Sequence, residues 1–236
     1  MRKYKLALLC FVILCVLALG MGFIFKGRYK TYDKAYLASN LTTDGAFINV
    51  IDGYFQNPRI YDASGILQHE VYKVEIVDKK IYGGSVVSVA KVNHVYAGAK
   101  SVGDTIEIKE NVRLDMIGDA VVRSTDFLDP GFVDGDEYIM ALKPSEYGKE
   151  LYDLAYDNFS YLRLADNYVE AYVDMYSPLQ PYDENGNTIL YYLKPDIDTS
   201  MIAAFYGPDS NGDDIVDKIN SDGKAMYEKF MELANN

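Results

Sequence analysis

The chain has 236 residues, with 35 Asp and Glu against 23 Lys and Arg, for a net charge of −12 at neutral pH. That acidity repels phosphate and excludes a nucleic-acid binder, while the length lets a single core form without covalent staples. Both cysteines, Cys10 and Cys15, fall in the first 25 residues, so the rest of the chain has neither disulfides nor thiol chemistry.

The first predicted element is an apolar and glycine run from Leu6 to Phe25, with Arg2, Lys3 and Lys5 before it and Lys26, Arg28 and Lys30 after it. As a helix rising about 1.5 Å per residue it reaches about 30 Å, the thickness of a bilayer's hydrocarbon core. Ala18-Leu19-Gly20 offers a small-x-small cleavage step, which makes secretion after signal cleavage the alternative. The run continues through Phe25, however, past the roughly 7 to 15 residues of a signal core, and this favours an uncleaved anchor. Leu precedes each cysteine, where a lipid acceptor follows a small residue, so the thiols read as lipid-facing apolar groups.

Residues 1–30 carry six Lys and Arg and no acid, which leaves 17 basic and 35 acidic side chains, a net of −18, in residues 31–236. Basic residues on both flanks nearly cancel as an orientation signal. The long acidic remainder breaks the tie and predicts a single-pass cell-membrane protein with residues 31–236 outside the cytoplasm. Export without disulfides fits a bacterial surface.

Residues 26–34 read as a basic stalk, and Tyr36–Phe55 mixes apolar and polar residues without a clear period. From Val71 to Val77, and again from Val86 to Val95 beyond Gly83-Gly84, β-branched residues bounded by glycine predict two strands. A loop over 96–104 follows, then alternation at Thr105–Ile108, a strand at Ala120–Arg123, a loop at Asp129-Pro130-Gly131 and a strand at Glu137–Leu142. Short strands at this spacing predict a small antiparallel barrel or sandwich.

The segments Val95-Tyr96-Ala97-Gly98, Val102-Gly103-Asp104-Thr105-Ile106-Glu107-Ile108 and Gly135-Asp136-Glu137-Tyr138-Ile139-Met140-Ala141-Leu142 resemble bacterial surface proteins with an OB-like barrel. That barrel is similar to the N-terminal domain of the tissue inhibitors of metalloproteinases. The resemblance spans about residues 70–143 and implies a fold. The cysteines that staple the animal inhibitors are absent, so it does not imply protease inhibition and assigns no functional residue.

Past Pro144, Ser145 reads as a helix cap, with Tyr147, Leu151, Leu154 and Tyr156 spaced as a short helix. Phe159–Leu164 and Tyr168–Val173 about Asp166-Asn167 read as a hairpin, and Asn185-Gly186 predicts a further turn before Thr188–Leu193. Met226, Phe230 and Leu233 recur at helical spacing within Lys224–Ala234. The expected class is therefore mainly β (α+β): a transmembrane helix, an antiparallel OB-like barrel, C-terminal hairpins and a terminal helix, with 31–236 forming one domain.

The sharpest metal candidate is the run from Asp209 to Asp217, in which Asp209, Asn211 and Asp213 place oxygens at alternate positions as a calcium loop does. It resembles the start of an EF-hand or dockerin loop. Asp214 stands where the sharp turn needs Gly, and Asn220 where a bidentate carboxylate closes the site, so an acidic turn leading into a helix is the stronger reading.

His69 and His94 are the only histidines, too few for a histidine metal centre and each well placed to be packed beside a strand. The pairs Asp134/Asp136 and Asp126/Asp129 could serve carboxylate hydrolysis, but loops beside Gly and Pro use Asp for turn geometry alone. The 22 tyrosines, with no tryptophan, suggest either a recognition surface or strand packing, and strand packing is the simpler account. The resulting expectation is a membrane-anchored binding module for a protein or cell-envelope partner, with a hydrolase using two carboxylates and a calcium-stabilised adhesion module as alternatives.

Overall fold

Gly84 turns the chain between two long antiparallel strands, β2 (Glu70–Tyr82) and β3 (Ser85–Ala97), which begin the barrel. The computed structural model describes residues 41–43, 62–82, 84–117, 120–125, 128–148, 150–156, 159–173, 179–195 and 212–236. All of them belong to one unit, Leu37–Asn236. Among them no helix is long and apolar enough to cross a membrane. The Leu6–Phe25 run, the stalk and most of Tyr36–Phe55 lie outside the described residues.

Strand β4 (Thr105–Ile117) pairs antiparallel with β3, and β6 (Glu137–Pro144) pairs antiparallel with β2. The short β7 (Leu151–Leu154) then bridges the two, antiparallel to β6 and parallel to β4, so the order β2-β3-β4-β7-β6 returns to β2 and closes a five-stranded barrel. Beyond its pairing with β7 at Glu107–Lys109, β4 pairs with β5 (Ala120–Thr125), which carries the short parallel β1 (Leu41–Thr43). The free edge of β6 at Tyr138–Met140 takes β8 (Tyr161–Arg163).

The predicted helix over 145–156 is not formed; the chain there is β7. Tyr152 and Leu154 are buried while Leu151 and Asp153 are half-buried, and this period of two places alternate side chains inside the barrel. The closing strand therefore lies outside the 70–143 span, and its pairing with β4 is parallel, so the barrel is not wholly antiparallel.

The expected C-terminal hairpins are also corrected. β8 pairs with β6, whereas β9 (Tyr168–Val173) pairs parallel with β10 (Thr188–Leu193), joined by residues 174–187. A parallel pair needs a connection of about a dozen residues or more, and this stretch supplies it. The Asn185-Gly186 turn does form, but it closes on a single antiparallel bridge, Tyr182 to Thr188.

Two cores result. Tyr72, Ile76, Ile106, Met140 and Leu142 fill the barrel. Outside it, Ile66, Ile139, Ala141, Leu162 and the leucines of β10 pack on helix α1 (Gly212–Ala234), which presents Val216, Ile219, Met226, Phe230 and Leu233. The helix is longer than the predicted 224–234, because Val216 and Ile219 continue the same apolar stripe toward its start. Strand β6 lies between the cores: Tyr138, Met140 and Leu142 face one and Ile139 and Ala141 the other. Its run Tyr-Ile-Met-Ala-Leu is continuously apolar for that reason.

Candidate functional site

The loop leading into β6 is organised by Asp129. Its Oδ1 accepts the Gly131 amide at 2.7 Å, and Gly131 sits at φ 76°, a left-handed turn that suits glycine. The same Oδ1 accepts the Tyr161 hydroxyl of β8 at 2.5 Å. Turn chemistry therefore accounts for one oxygen. The side chain is 3% exposed, and among the described residues the other oxygen, Oδ2, has no hydrogen-bond partner.

Asp129 lines a small recess of about 30 Å³ between the barrel end and α1. The walls are aromatic, from Tyr138, Phe159, Tyr161, Tyr191 and Tyr227. Tyr161 lies edge-on to Phe132 and Tyr138, with ring centres 4.8 and 5.6 Å away, which fixes its hydroxyl toward Asp129. Phe159 is held at φ 57°, an uncommon state for a bulky side chain, with its ring seated over Gly223 of α1 and edge-on to Tyr227. The Ser160 hydroxyl accepts the Tyr156 amide at 2.8 Å and donates to the Tyr156 carbonyl, tying this turn to the end of β7.

Two ion pairs lie in this region, and of their four side chains only Arg163 lines the recess. Lys79 Nζ lies 2.9 Å from Glu110 Oε1, with both side chains almost wholly buried. Glu110 also accepts from Ser88 Oγ at 2.6 Å and from the Phe132 amide at 3.2 Å, while Lys79 donates to the Phe132 carbonyl. On the other side, Arg163 Nε lies 2.8 Å from Asp136 Oδ2, and Nη1 donates to Thr188 Oγ1 at 3.1 Å. The Arg163 guanidinium stacks 3.8 Å over Tyr182, whose hydroxyl donates to the same Asp136 oxygen.

Burial pushes the Asp129 carboxyl up to about 6, aided by the Glu110 charge, against the pull of Tyr161, the Gly131 amide and Lys79. Burial likewise raises the Tyr138, Tyr161 and Tyr227 hydroxyls, which stay neutral at physiological pH.

The acid pairs named from sequence separate. Asp134 is exposed, Asp136 is paired with Arg163, Asp126 lies outside the described residues, and Asp129 alone of the four enters the recess. Of the calcium candidates, Asp209 and Asn211 lie outside the described residues and Asp213 belongs to the first turn of α1. Among the described residues no group of three His, Cys, Asp or Glu is placed to hold a metal. His69 meets Tyr156 edge-on and His94 tilts against Tyr96.

Sequence reasoning missed Arg163, Lys79 and Glu110, and singled out Tyr161 only as one of a tyrosine cluster. Glu110 had a readable signal: it continues the inward set Ile106, Ile108 and Val112 of β4, so a charge inside the barrel follows once the strand is extended. Of the tyrosine cluster over 152–176, Tyr152 and Tyr156 are buried, Tyr161 and Tyr168 half-buried and Tyr172 exposed, while Tyr176 lies outside the described residues, so these five form no broad tyrosine surface. The sequence matches no protein-family model and no curated protein.

Proposed function

We propose that the chain is a cell-surface binding module, held in the membrane by residues 6–25. Its barrel is OB-like, and it engages a protein or cell-envelope partner through the Asp129 recess without chemical turnover. The OB-like reading is supported by connectivity. Numbering the barrel strands in chain order gives the circuit 1-2-3-5-4-1, with the third and fifth parallel, as in five-stranded Greek-key barrels that bind ligands through strand faces and loops.

The observation that carries the reading is a single carboxylate with an unused oxygen in an aromatic-walled recess. A few convergent polar groups in an apolar concavity are what ligand recognition needs. Glycoside hydrolysis needs two carboxylates flanking the bond, about 5 to 9.5 Å apart, and free to act. Here the acids Glu110 and Asp136 do not line the recess and are held by Lys79 and Arg163.

The test is co-sedimentation of the full chain, in detergent micelles, with purified bacterial envelope fragments. Saturable sedimentation that leaves the fragments intact is expected. Absence of sedimentation overturns the binding reading, and release of soluble fragments restores the two-carboxylate hydrolase in its place.

A further inference from the structure

We propose that the outer edge of β9 docks an extended, basic segment of a partner protein, which adds a third strand to the β9–β10 pair. None of β9 lines the Asp129 recess, so this surface and its test stand independently of the reading above. Backbone direction is the first argument. The Thr188 amide donates to the Asn167 carbonyl at 3.1 Å and the Lys194 amide to the Val173 carbonyl at 3.0 Å, so the odd-numbered positions of β9 face β10. Backbone groups alternate between the two edges of a strand, and those of Tyr168, Glu170 and Tyr172 therefore point away from β10. Among the described residues no strand pairs there, and no backbone group of a loop reaches those three residues.

The contrast with β10 is the second argument. On its far edge the Ile189 amide donates to the Pro181 carbonyl at 3.4 Å, and the Leu193 amide and carbonyl are both taken by Asn220 at 2.8 Å. Exposed edges are ordinarily blunted by Pro, Lys or a bulge. Tyr168–Val173 has neither residue, and its register with β10 runs unbroken. Two strands are a minimal sheet, and an added strand completes a second row of ladder bonds.

Charge selects the occupant. Glu170 is exposed and Tyr172 is 49% exposed, and alternation puts the two on one face of β9, where the Tyr172 hydroxyl donates to Glu170 Oε2 at 3.3 Å. The Tyr172 ring rests against Tyr192 of β10, with centres 5.7 Å apart. From Asp166 to Val173 the chain has two acids and no Lys or Arg, and β10 has no charged residue. A Lys or Arg of the incoming strand beside Glu170 makes a cross-strand ion pair and reaches the Tyr172 ring. A second copy of this chain, at net charge −12, would set Glu170 and Asp166 against the same acids, so a basic partner fits the edge better than self-pairing.

The experiment titrates the full chain in detergent micelles with the peptide acetyl-Lys-Val-Lys-Val-Lys-Val-amide at low ionic strength, following the Glu170 and Tyr172 amides by NMR and hydrogen exchange. Saturable binding is expected, with exchange of both amides slowed about tenfold or more at saturation. Two control peptides are each expected to bind about tenfold or more weakly. One is the same peptide N-methylated at every residue, which keeps the charges and loses the donors. The other is acetyl-Glu-Val-Glu-Val-Glu-Val-amide, which keeps the donors and reverses the charge. Glu170→Lys, at an exposed position, is expected to weaken the lysine peptide about tenfold and to strengthen the glutamate peptide. Binding that leaves the two amides unprotected, equal binding of either control peptide, indifference to Glu170→Lys, or no saturation overturns the proposal. Protection of these amides that appears without peptide and grows with chain concentration also overturns it, and assigns the edge to a second copy.

Discussion

Asp129 couples the recess to folding. Its folded pKa of about 6 stands above its ordinary 3.8, so between those values the folded chain holds the proton more tightly than the unfolded one. The contribution to stability is complete below about pH 4 and is lost as pH rises through about 6, a swing of about 3 kcal/mol. In urea denaturation from pH 4 to 7, the stability difference between wild type and Asp129→Asn is expected to change by about that amount in favour of the variant. A constant difference would contradict a carboxylate buried without a counter-charge.

Asn220 shows a second side chain whose role depends on the fold. Its Oδ1 accepts the Leu193 amide and its Nδ2 donates to the Leu193 carbonyl, both at 2.8 Å, so the amide ties α1 to the end of β10. Asn220→Ala is expected to cost about 1 to 3 kcal/mol by thermal or denaturant unfolding, because two backbone groups lose partners. The residue that would close a calcium loop at its twelfth position is thus engaged elsewhere. Thermal unfolding of the full chain is accordingly expected to be the same with millimolar calcium as with a chelator, and a rise of several degrees would restore the Asp209, Asn211 and Asp213 site.

At the scale of elements, local pattern served where pairing is local and failed where it is not. The β2–β3 hairpin, β4 and β6 follow from β-branched runs and glycine breaks, and the terminal helix from its apolar stripe. β7 was misread because Leu151 and Leu154 stand three apart, a helical spacing, while the buried set is Tyr152 and Leu154. Turn signals were real but did not choose partners: the Asp183 carboxylate accepts the amides of Asn185 and Asn187, yet β10 pairs with β9 in parallel. Leu154→Ala, which empties part of the closing strand's contribution to the barrel, is expected to cost about 2 to 5 kcal/mol in denaturant unfolding.

Gly223 makes the opposite sign argument within α1. Intrinsic helix propensity favours alanine over glycine by about 1 kcal/mol. An added Cβ, however, would fall 2.5 Å from the Phe159 ring, against a residue already in a strained backbone state. Gly223→Ala is expected to lower the melting temperature; an increase would show that the ring moves aside freely.

For the whole molecule, what was legible was class and sign: mainly β, strongly acidic, with a terminal helix. Closure of the barrel and assembly of the recess were not, because each depends on contacts between residues far apart in sequence. Asp129 meets Tyr161 across 32 positions and Glu110 meets Lys79 across 31, separations that no periodicity encodes.

Over Tyr138–Leu142 strand β6 is enclosed, flanked by β2 on one edge and by β7 and β8 on the other, with a core against each face. Its amide protons therefore have no local route to solvent. Ile139, Met140 and Ala141 are expected to be among the slowest amides to exchange with deuterium, released only when barrel and helix come apart together. A calorimetric scan would then show these two cores melting as one cooperative unit, since neither can dissolve without stripping a face from the strand they share.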